Sequence, residues 1–311
     1  MSALEIKHLL GLRGVSANDI RAILDEATGF KKVLERKVKT LPTLRGTTVV
    51  NLFFENSTRT RISFELAEKR LSADIVNFAT SSSSVQKGET LLDTLKNIEA
   101  MKIDVVVVRH KGTGVPKFLS EHTNAVIVNA GDGAHEHPTQ ALLDIFTIEN
   151  NLGNLSGKIV TIVGDIKHSR VARSNAWGLN ALGAKVRFCG PPTLMPRNPK
   201  MLPVEIFCDV AKAVDGADAV IALRLQKERM DDSLLPSIRE YRNFYGITRQ
   251  TLEHAKKNVL IMHPGPINRG VELDSDIADG ENSVILEQVT NGVAVRMSVL
   301  YLLSAGRAGE Q

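Results

Sequence analysis

Thr48-Val49-Val50-Asn51-Leu52-Phe53-Phe54-Glu55-Asn56-Ser57-Thr58-Arg59-Thr60-Arg61-Ile62-Ser63-Phe64-Glu65-Leu66-Ala67-Glu68-Lys69-Arg70-Leu71 is the stretch whose reading sets the architecture. It opens on a mostly β-branched and apolar run of strand length, Thr48–Phe53. It closes on an amphipathic helical pattern, Ile62–Leu71. Between them lies only a short polar joint, so a strand passes almost directly into a helix, the leading half of a βαβ unit. The same alternation recurs. Further strand-like runs are Asp74–Phe78, Asp104–Val108 and Ala125–Asn129, then Ile159–Val163, Lys185–Phe188, Ala219–Leu223 and Val259–Met262. Near-continuous apolar strands suit parallel sheets covered on both faces. The expected fold is α/β, with two doubly wound domains, each a parallel sheet flanked by helices.

The length of 311 residues fits about two domains. The polar break Asn150-Asn151-Leu152-Gly153-Asn154-Leu155-Ser156-Gly157 marks a boundary, giving domains of 1–150 and 151–289. Gly292–Leu303 reads as a buried helix, and periodicity does not say which half it packs on.

Composition narrows the function. Hydrophobic residues at 43% and charged ones at 24% describe an ordinary globular chain rather than a disordered one. Thirty-nine basic against 35 acidic residues leave +4, with no basic tract, and aromatics at 5% offer little for bases to stack on. Nucleic acid is therefore not an expected partner. Cys189 and Cys208 are too few for a disulfide framework or a cysteine-rich metal site. The N-terminus has no apolar signal segment, and no run approaches the ~20 residues of a membrane span. The expectation is a soluble, cytoplasmic protein.

In open parallel sheets, ligands bind beyond the C-terminal ends of the strands, so the chemistry is sought there. The first strand end leads to Ser57-Thr58-Arg59-Thr60-Arg61 at a helix start. Backbone N–H groups, hydroxyls and guanidiniums together make a phosphate cradle; the plain alternative is a helix cap. Val105–Val108 ends in Arg109, expected to leave the sheet at its edge and face the crevice, or else to pair with a surface carboxylate. The fourth end, Asn129-Ala130-Gly131-Asp132-Gly133-Ala134-His135-Glu136-His137-Pro138-Thr139-Gln140, places His137 and Gln140 at a helix N-terminus, because Pro138 suits a first turn. The dipole there disfavours imidazolium, so His137 is expected to act as a neutral donor. His135 and His137 have no carboxylate or cysteine set completing a metal site, and no metal is expected. Gly164-Asp165-Ile166-Lys167-His168-Ser169-Arg170 lacks the Gly-x-Gly-x-x-Gly of a dinucleotide site. Leu223-Arg224-Leu225-Gln226 repeats an arginine at a strand end. In Met262-His263-Pro264-Gly265-Pro266 the two prolines supply no N–H, so the turn offers mainly carbonyl oxygens.

Taken together, Phe53–Arg61, His137-Pro138-Thr139-Gln140 and His263-Pro264-Gly265-Pro266 closely resemble the carbamoyltransferase family in order and spacing over nearly the whole length. Ser83-Ser84-Val85-Gln86-Lys87-Gly88-Glu89-Thr90 and Arg224-Leu225-Gln226-Lys227-Glu228-Arg229 resemble the two recognition loops of its aspartate-accepting branch. The ornithine branch carries His-Pro-Cys-Gln, a His-Cys-Leu-Pro turn and an Asp-x-x-x-Ser-Met-Gly loop. Here Thr139 and Gly265-Pro266 stand instead, and Ser-Met-Gly is absent.

The resemblance implies carbamoyl transfer from carbamoyl phosphate to L-aspartate, the committed step of de novo pyrimidine synthesis, without metal or cofactor. It implies that Ser57, Thr58, Arg59, Thr60 and Arg109 hold the phosphate. His137, Gln140 and the carbonyls of Gly265 and Pro266 would hold the carbamoyl group; Arg170 and Arg224, with Gln226 nearby, would grip the aspartate carboxylates. It implies a homotrimer with shared sites, Ser83 and Lys87 coming from the neighbour, with regulatory or dihydroorotase chains as further candidate partners. It also implies that the C-terminal helix, 290–311, returns to the first domain. The catalytic group would be Arg59, Thr60, Lys87, Arg109 and His137. Charge arithmetic agrees: two anionic substrates need several cations, and Arg59, Lys87, Arg109, Arg170 and Arg224 supply them. A different acceptor such as ornithine is the alternative within enzymes. A non-catalytic anion-binding module is the alternative outside them, and it leaves the His137–Gln140 and Gly265–Pro266 elements without a purpose.

Overall fold

The computed structural model describes residues 4–79, 89–225 and 237–308. The chain divides into two compact units. The first runs through Leu142 and regains the chain from Thr290 on; the second spans Leu143–Val289.

The first unit is built on four parallel strands, β1 (Thr48–Phe53), β2 (Asp74–Ala79), β3 (Val105–His110) and β4 (Val126–Asp132), in the order β2-β1-β3-β4. Its helices are α1 (Ala17–Leu34), α2 (Thr58–Arg70), α3 (Leu91–Ala100), α4 (Val115–Ser120) and the start of α5 (Pro138–Leu152). The four valines of β3 are all buried, and Val106 and Val108 pack in a core with Val50, Leu52, Leu95 and Ile127 on one face. Each such side chain stabilises the sheet by roughly 1.5–3 kcal/mol. That burial on both faces is why the run carries no polar alternation.

β3 is longer than its valines. It continues through Arg109, whose Cα pairs with that of Phe53. This corrects one expectation: the arginine does not leave the sheet but lies within it, at its C-terminal end and 8% exposed.

The second unit holds β5 (Ile159–Val163), β6 (Lys185–Cys189), β7 (Glu205–Phe207), β8 (Ala219–Ala222) and β9 (Leu260–Met262), in the parallel order β7-β6-β5-β8-β9. Strand β7 gave no sequence signal, being three residues long and on an edge. The helices are α6 (Arg170–Ala181), α7 (Val210–Val214), α8 (Ile238–Tyr245), α9 (Arg249–Leu252), α10 (Ser275–Ala278) and the start of α11 (Ile285–Ala308). From Thr290 on, α11 belongs to the first unit. Ser298 Oγ donates to the Ile23 carbonyl at 2.7 Å, and Tyr301 meets Phe30 edge-on at 5.8 Å. Among the described residues, no helix is long and apolar enough to cross a membrane.

Helix α2 buries Phe64, Ala67 and Glu68, with Leu71 completing the stripe, and leaves Ile62 and Leu66 on its outer side. A carboxylate thus stands in a core stripe. Asn51 Nδ2 donates to Glu68 Oε2 at 2.9 Å, while burial pushes the carboxyl up from the ordinary 4.5 to about 7 against that hydrogen bond. A carboxyl raised on folding loses stability as pH rises from about 4.5 to about 7. At about 1.4 kcal/mol per unit the loss is about 3 kcal/mol. Glu68→Gln removes the dependence, so urea melts should show the variant gaining on the parent across that window and the gap levelling above it. A gap that is constant from pH 5 to 8 contradicts the assignment.

Candidate active site

Each sheet has a topological switch point, where successive strands depart to opposite sides and leave a crevice. In the first unit it lies between β1 and β3, and the polar joint after β1 and Arg109 on β3 both end there. Ser57 occupies the cap position of α2 with an extended backbone, and its carbonyl accepts from Arg61 N–H at 3.1 Å. Its hydroxyl makes no capping bond, whereas Ser16, Thr90, Ser169 and Ser237 all cap their helices. The plain cap is therefore not what Ser57 does. With Thr58 and Arg59 exposed and no acidic residue in the first turn, the helix start suits an anion.

Arg109 is held on two sides. Nη1 donates to the Ala130 carbonyl and Nη2 to Glu55 Oε1, each at 3.1 Å. Pairing with a surface carboxylate was the alternative reading of this residue; the carboxylate it meets, Glu55, is half-buried and went unassigned in the sequence although it stands in the quoted joint. Only the pairing of β1 with β3 reveals it.

His137 and Gln140 lie at the start of α5, where the His137 carbonyl accepts from Gln140 and Ala141 N–H at 3.0 and 3.2 Å. His137 itself is buried. The loop before it is pinned by three side chains without assigned roles. Asp132 accepts from Gly114 N–H at 2.7 Å and from Glu136 N–H at 3.1 Å. Asn129 Nδ2 donates to the Leu10 carbonyl at 2.7 Å, and Glu136 Oε2 accepts from Leu12 N–H at 2.7 Å. Burial raises the Asp132 carboxyl, but hydrogen bonds from His135, Gly114 and Asn129 outweigh it and hold the group below its ordinary value. It stays an anion that can organise the loop.

In the second unit the switch point lies between β5 and β8. Arg170 is the first residue of α6 and is buried; Arg224 follows β8 and is half-buried. The two strand ends are drawn together at Gly164, where φ is +135° and an added Cβ would lie 2.8 Å from the Leu223 carbonyl. Only glycine allows that approach. The 263–266 turn follows β9. Gly265 has φ +68°, and its N–H donates to His263 Nδ1 at 2.8 Å. Nε2 is then left to donate to Glu272 Oε1, 3.2 Å away. The loop residues Ser83 and Lys87, and Gln226 beyond Arg224, lie outside the described residues.

Each switch point thus carries arginine, and the second unit adds a proline-bracketed turn. Residues 7–150 match the carbamoyl-P binding domain of the aspartate/ornithine carbamoyltransferases, and residues 156–303 match the Asp/Orn binding domain. The chain belongs to this family. Among carbamoyltransferases it is 59% identical, over 97% of its length and 94% of the relative, to the aspartate carbamoyltransferase catalytic subunit of Gemmatimonas aurantiaca. The crystal structure of aspartate transcarbamoylase from Trypanosoma cruzi, in complex with carbamoyl aspartate and phosphate, superposes with a TM-score of 0.85. Identity there is 30%, covering 94% of this chain and 95% of that one. Ornithine carbamoyltransferase from Pyrococcus furiosus gives 0.88 at 26% identity, covering 98% and 99%. The carbamoyltransferase fold is therefore common to both acceptors, and the choice between them rests on side chains.

Proposed function

We propose that this carbamoyltransferase converts carbamoyl phosphate and L-aspartate to N-carbamoyl-L-aspartate and phosphate, at the entry to pyrimidine synthesis. One observation carries the choice of acceptor. The second unit places two arginines, Arg170 and Arg224, at its switch point. Two guanidiniums match two carboxylates, whereas ornithine offers one carboxylate and a cationic side chain.

In this reading the first unit, with the helix from Thr290 on, takes carbamoyl phosphate, and the second takes aspartate. Ser57, Thr58, Arg59, Thr60 and Arg109 hold the phosphate. His137, Gln140 and the carbonyls of Gly265 and Pro266 hold the carbamoyl group. The neutral amine of aspartate attacks the carbamoyl carbon, and negative charge develops on its oxygen. Donors aimed at that oxygen, His137, Arg109 and Thr60, lower the barrier, each being worth ~10²–10³ in rate. The C–N bond forms, the C–O bond to phosphate breaks, and the departing phosphate takes the amine proton. No protein base is required. Arg170, Arg224 and Gln226 orient aspartate, and Lys87 reaches the site from a neighbouring chain of a homotrimer. Regulatory or dihydroorotase chains are candidate further partners, and the cytoplasm is the proposed location.

The test is product formation from carbamoyl phosphate with aspartate, ornithine and a panel of amino acids, beside sedimentation of the same preparation. Carbamoylation of aspartate alone, by a particle of three chains, is expected. Ornithine as the preferred acceptor would overturn the reading.

A further inference from the structure

The turn after β9 has its N–H groups consumed from within. His263 N–H donates to Gln288 Oε1 at 3.0 Å, and Gly265 N–H donates to the imidazole of His263 at 2.8 Å. Pro264 and Pro266 have none to give. Just past the turn, Asn268 N–H donates to Glu272 Oε1 at 2.6 Å. Between His263 and Pro266 the backbone is therefore left with carbonyl oxygens alone to offer a ligand.

Gln288 is the least local part of this arrangement. It lies near the start of α11, is 3% exposed, and stands outside every motif discussed above. Its amide has one workable orientation. Nε2 donates to Asp144 Oδ1 at 2.7 Å, which turns the carbonyl oxygen toward His263 N–H. Asp144 on α5 is fully buried and also accepts from Asn175 Nδ2 on α6 at 2.8 Å. Asp144 accepts on each of its oxygens, from Asn175 and from Gln288, and so dictates which end of the glutamine amide faces it. Were the amide reversed, its NH2 would oppose the His263 N–H, and that buried donor would be left unsatisfied.

We propose that Gln288, oriented by Asp144, is a positioning residue that keeps the 263–266 turn acceptor-only, so that the enzyme selects a carbamoyl phosphate over an acyl phosphate lacking an NH2 group. This rests on the function proposed above. The carbamoyl NH2 brings two donors to the turn's carbonyls; the methyl of acetyl phosphate brings none and leaves those carbonyls desolvated. If Gln288 is lost, the cheapest way to satisfy the His263 N–H is to rotate the peptide, which re-aims the neighbouring carbonyls. Recognition of the phosphate, by other residues, is untouched.

Calorimetric titration of the full-length protein with carbamoyl phosphate, acetyl phosphate and inorganic phosphate, without aspartate, tests this. Gln288→Met keeps the volume and removes both hydrogen bonds. Carbamoyl phosphate should bind at least about tenfold more weakly, and the other two within about twofold of the parent. The exchanged pair Asp144→Asn with Gln288→Glu restores an acceptor to His263 N–H, with the new asparagine donating to the new glutamate, and should recover the parent's selectivity. If Gln288→Met does not fold, the exchanged pair decides alone: selective binding supports the proposal, and a folded but unselective protein overturns it. Equal loss of all three ligands in Gln288→Met, or full retention of carbamoyl phosphate, also overturns it. A parent that fails to prefer carbamoyl over acetyl phosphate overturns the functional reading and this proposal together, whereas a selective parent with an unselective exchanged pair overturns this proposal alone.

Discussion

Arg109→Ala is expected to lower kcat/KM by on the order of 10³, since one change would remove both roles proposed for Arg109, phosphate ligand and donor to the developing oxyanion. The substitution also disturbs the fold, because Glu55 loses its 3.1 Å partner on Arg109 Nη2 and the Ala130 carbonyl loses the bond from Nη1. Removing one member of a partly buried ion pair is often costlier than removing both. The double variant Arg109→Ala with Glu55→Gln separates the two effects. Urea melts should show it recovering stability, while steady-state kinetics should show it as inactive as the single variant. Arg109→Lys should regain less than about tenfold, because an ammonium cannot reach two acceptors with the planar fork of a guanidinium. Recovery of activity in the double variant would show Arg109 to be a structural counter-ion for Glu55 and nothing more.

Arg224→Ala is expected to raise the aspartate concentration needed for half-maximal rate by on the order of 10². A charged hydrogen bond is worth about 1.5–3 kcal/mol, and about 1.4 kcal/mol is tenfold. The backbone around it should not respond. Leu223 N–H is bonded to the Val163 carbonyl at 2.8 Å, and Leu225 is buried against Leu194 and Tyr241. Carbamoyl phosphate, measured by direct titration, should bind the variant within about twofold of the parent. Equal weakening of both substrates would mean that the roles of the two units are misassigned.

These predictions draw on residues of two kinds. The placement of Ser57, Arg59, His137, Arg170 and Arg224 beyond strand ends was legible in the chain because each follows a strand-like run. A run of apolar residues ends near the end of its strand, so a polar residue soon after it lies close to the C-terminal edge of the sheet, where open parallel sheets bind ligands. Arg109 was legible as a candidate but not in its placement, since an arginine continuing a strand looks the same in sequence as one leaving it. Glu55, Asp132, Gln288 and Asp144 carried no such mark. An acidic residue in a joint, or a glutamine in a helix, has the same local appearance whether it faces water or holds a buried turn.

What the sequence determined by itself follows from local physics. The apolar runs and helical periodicities specified two parallel α/β units, because backbone groups buried in a sheet must pair and β-branched or apolar side chains tolerate burial on both faces without needing partners of their own. The turn chemistry specified where helices start, as Pro138 at the head of α5 shows. What tertiary structure alone decided is every contact made across long stretches of chain. Glu55 meets Arg109 across 54 positions, and Gln288 meets Asp144 across 144. The side of α2 that turns inward, burying Glu68 and leaving Ile62 and Leu66 outside, was settled the same way. A side chain's spacing along its own helix fixes which residues share a face, but only the packed neighbour determines which face is inside.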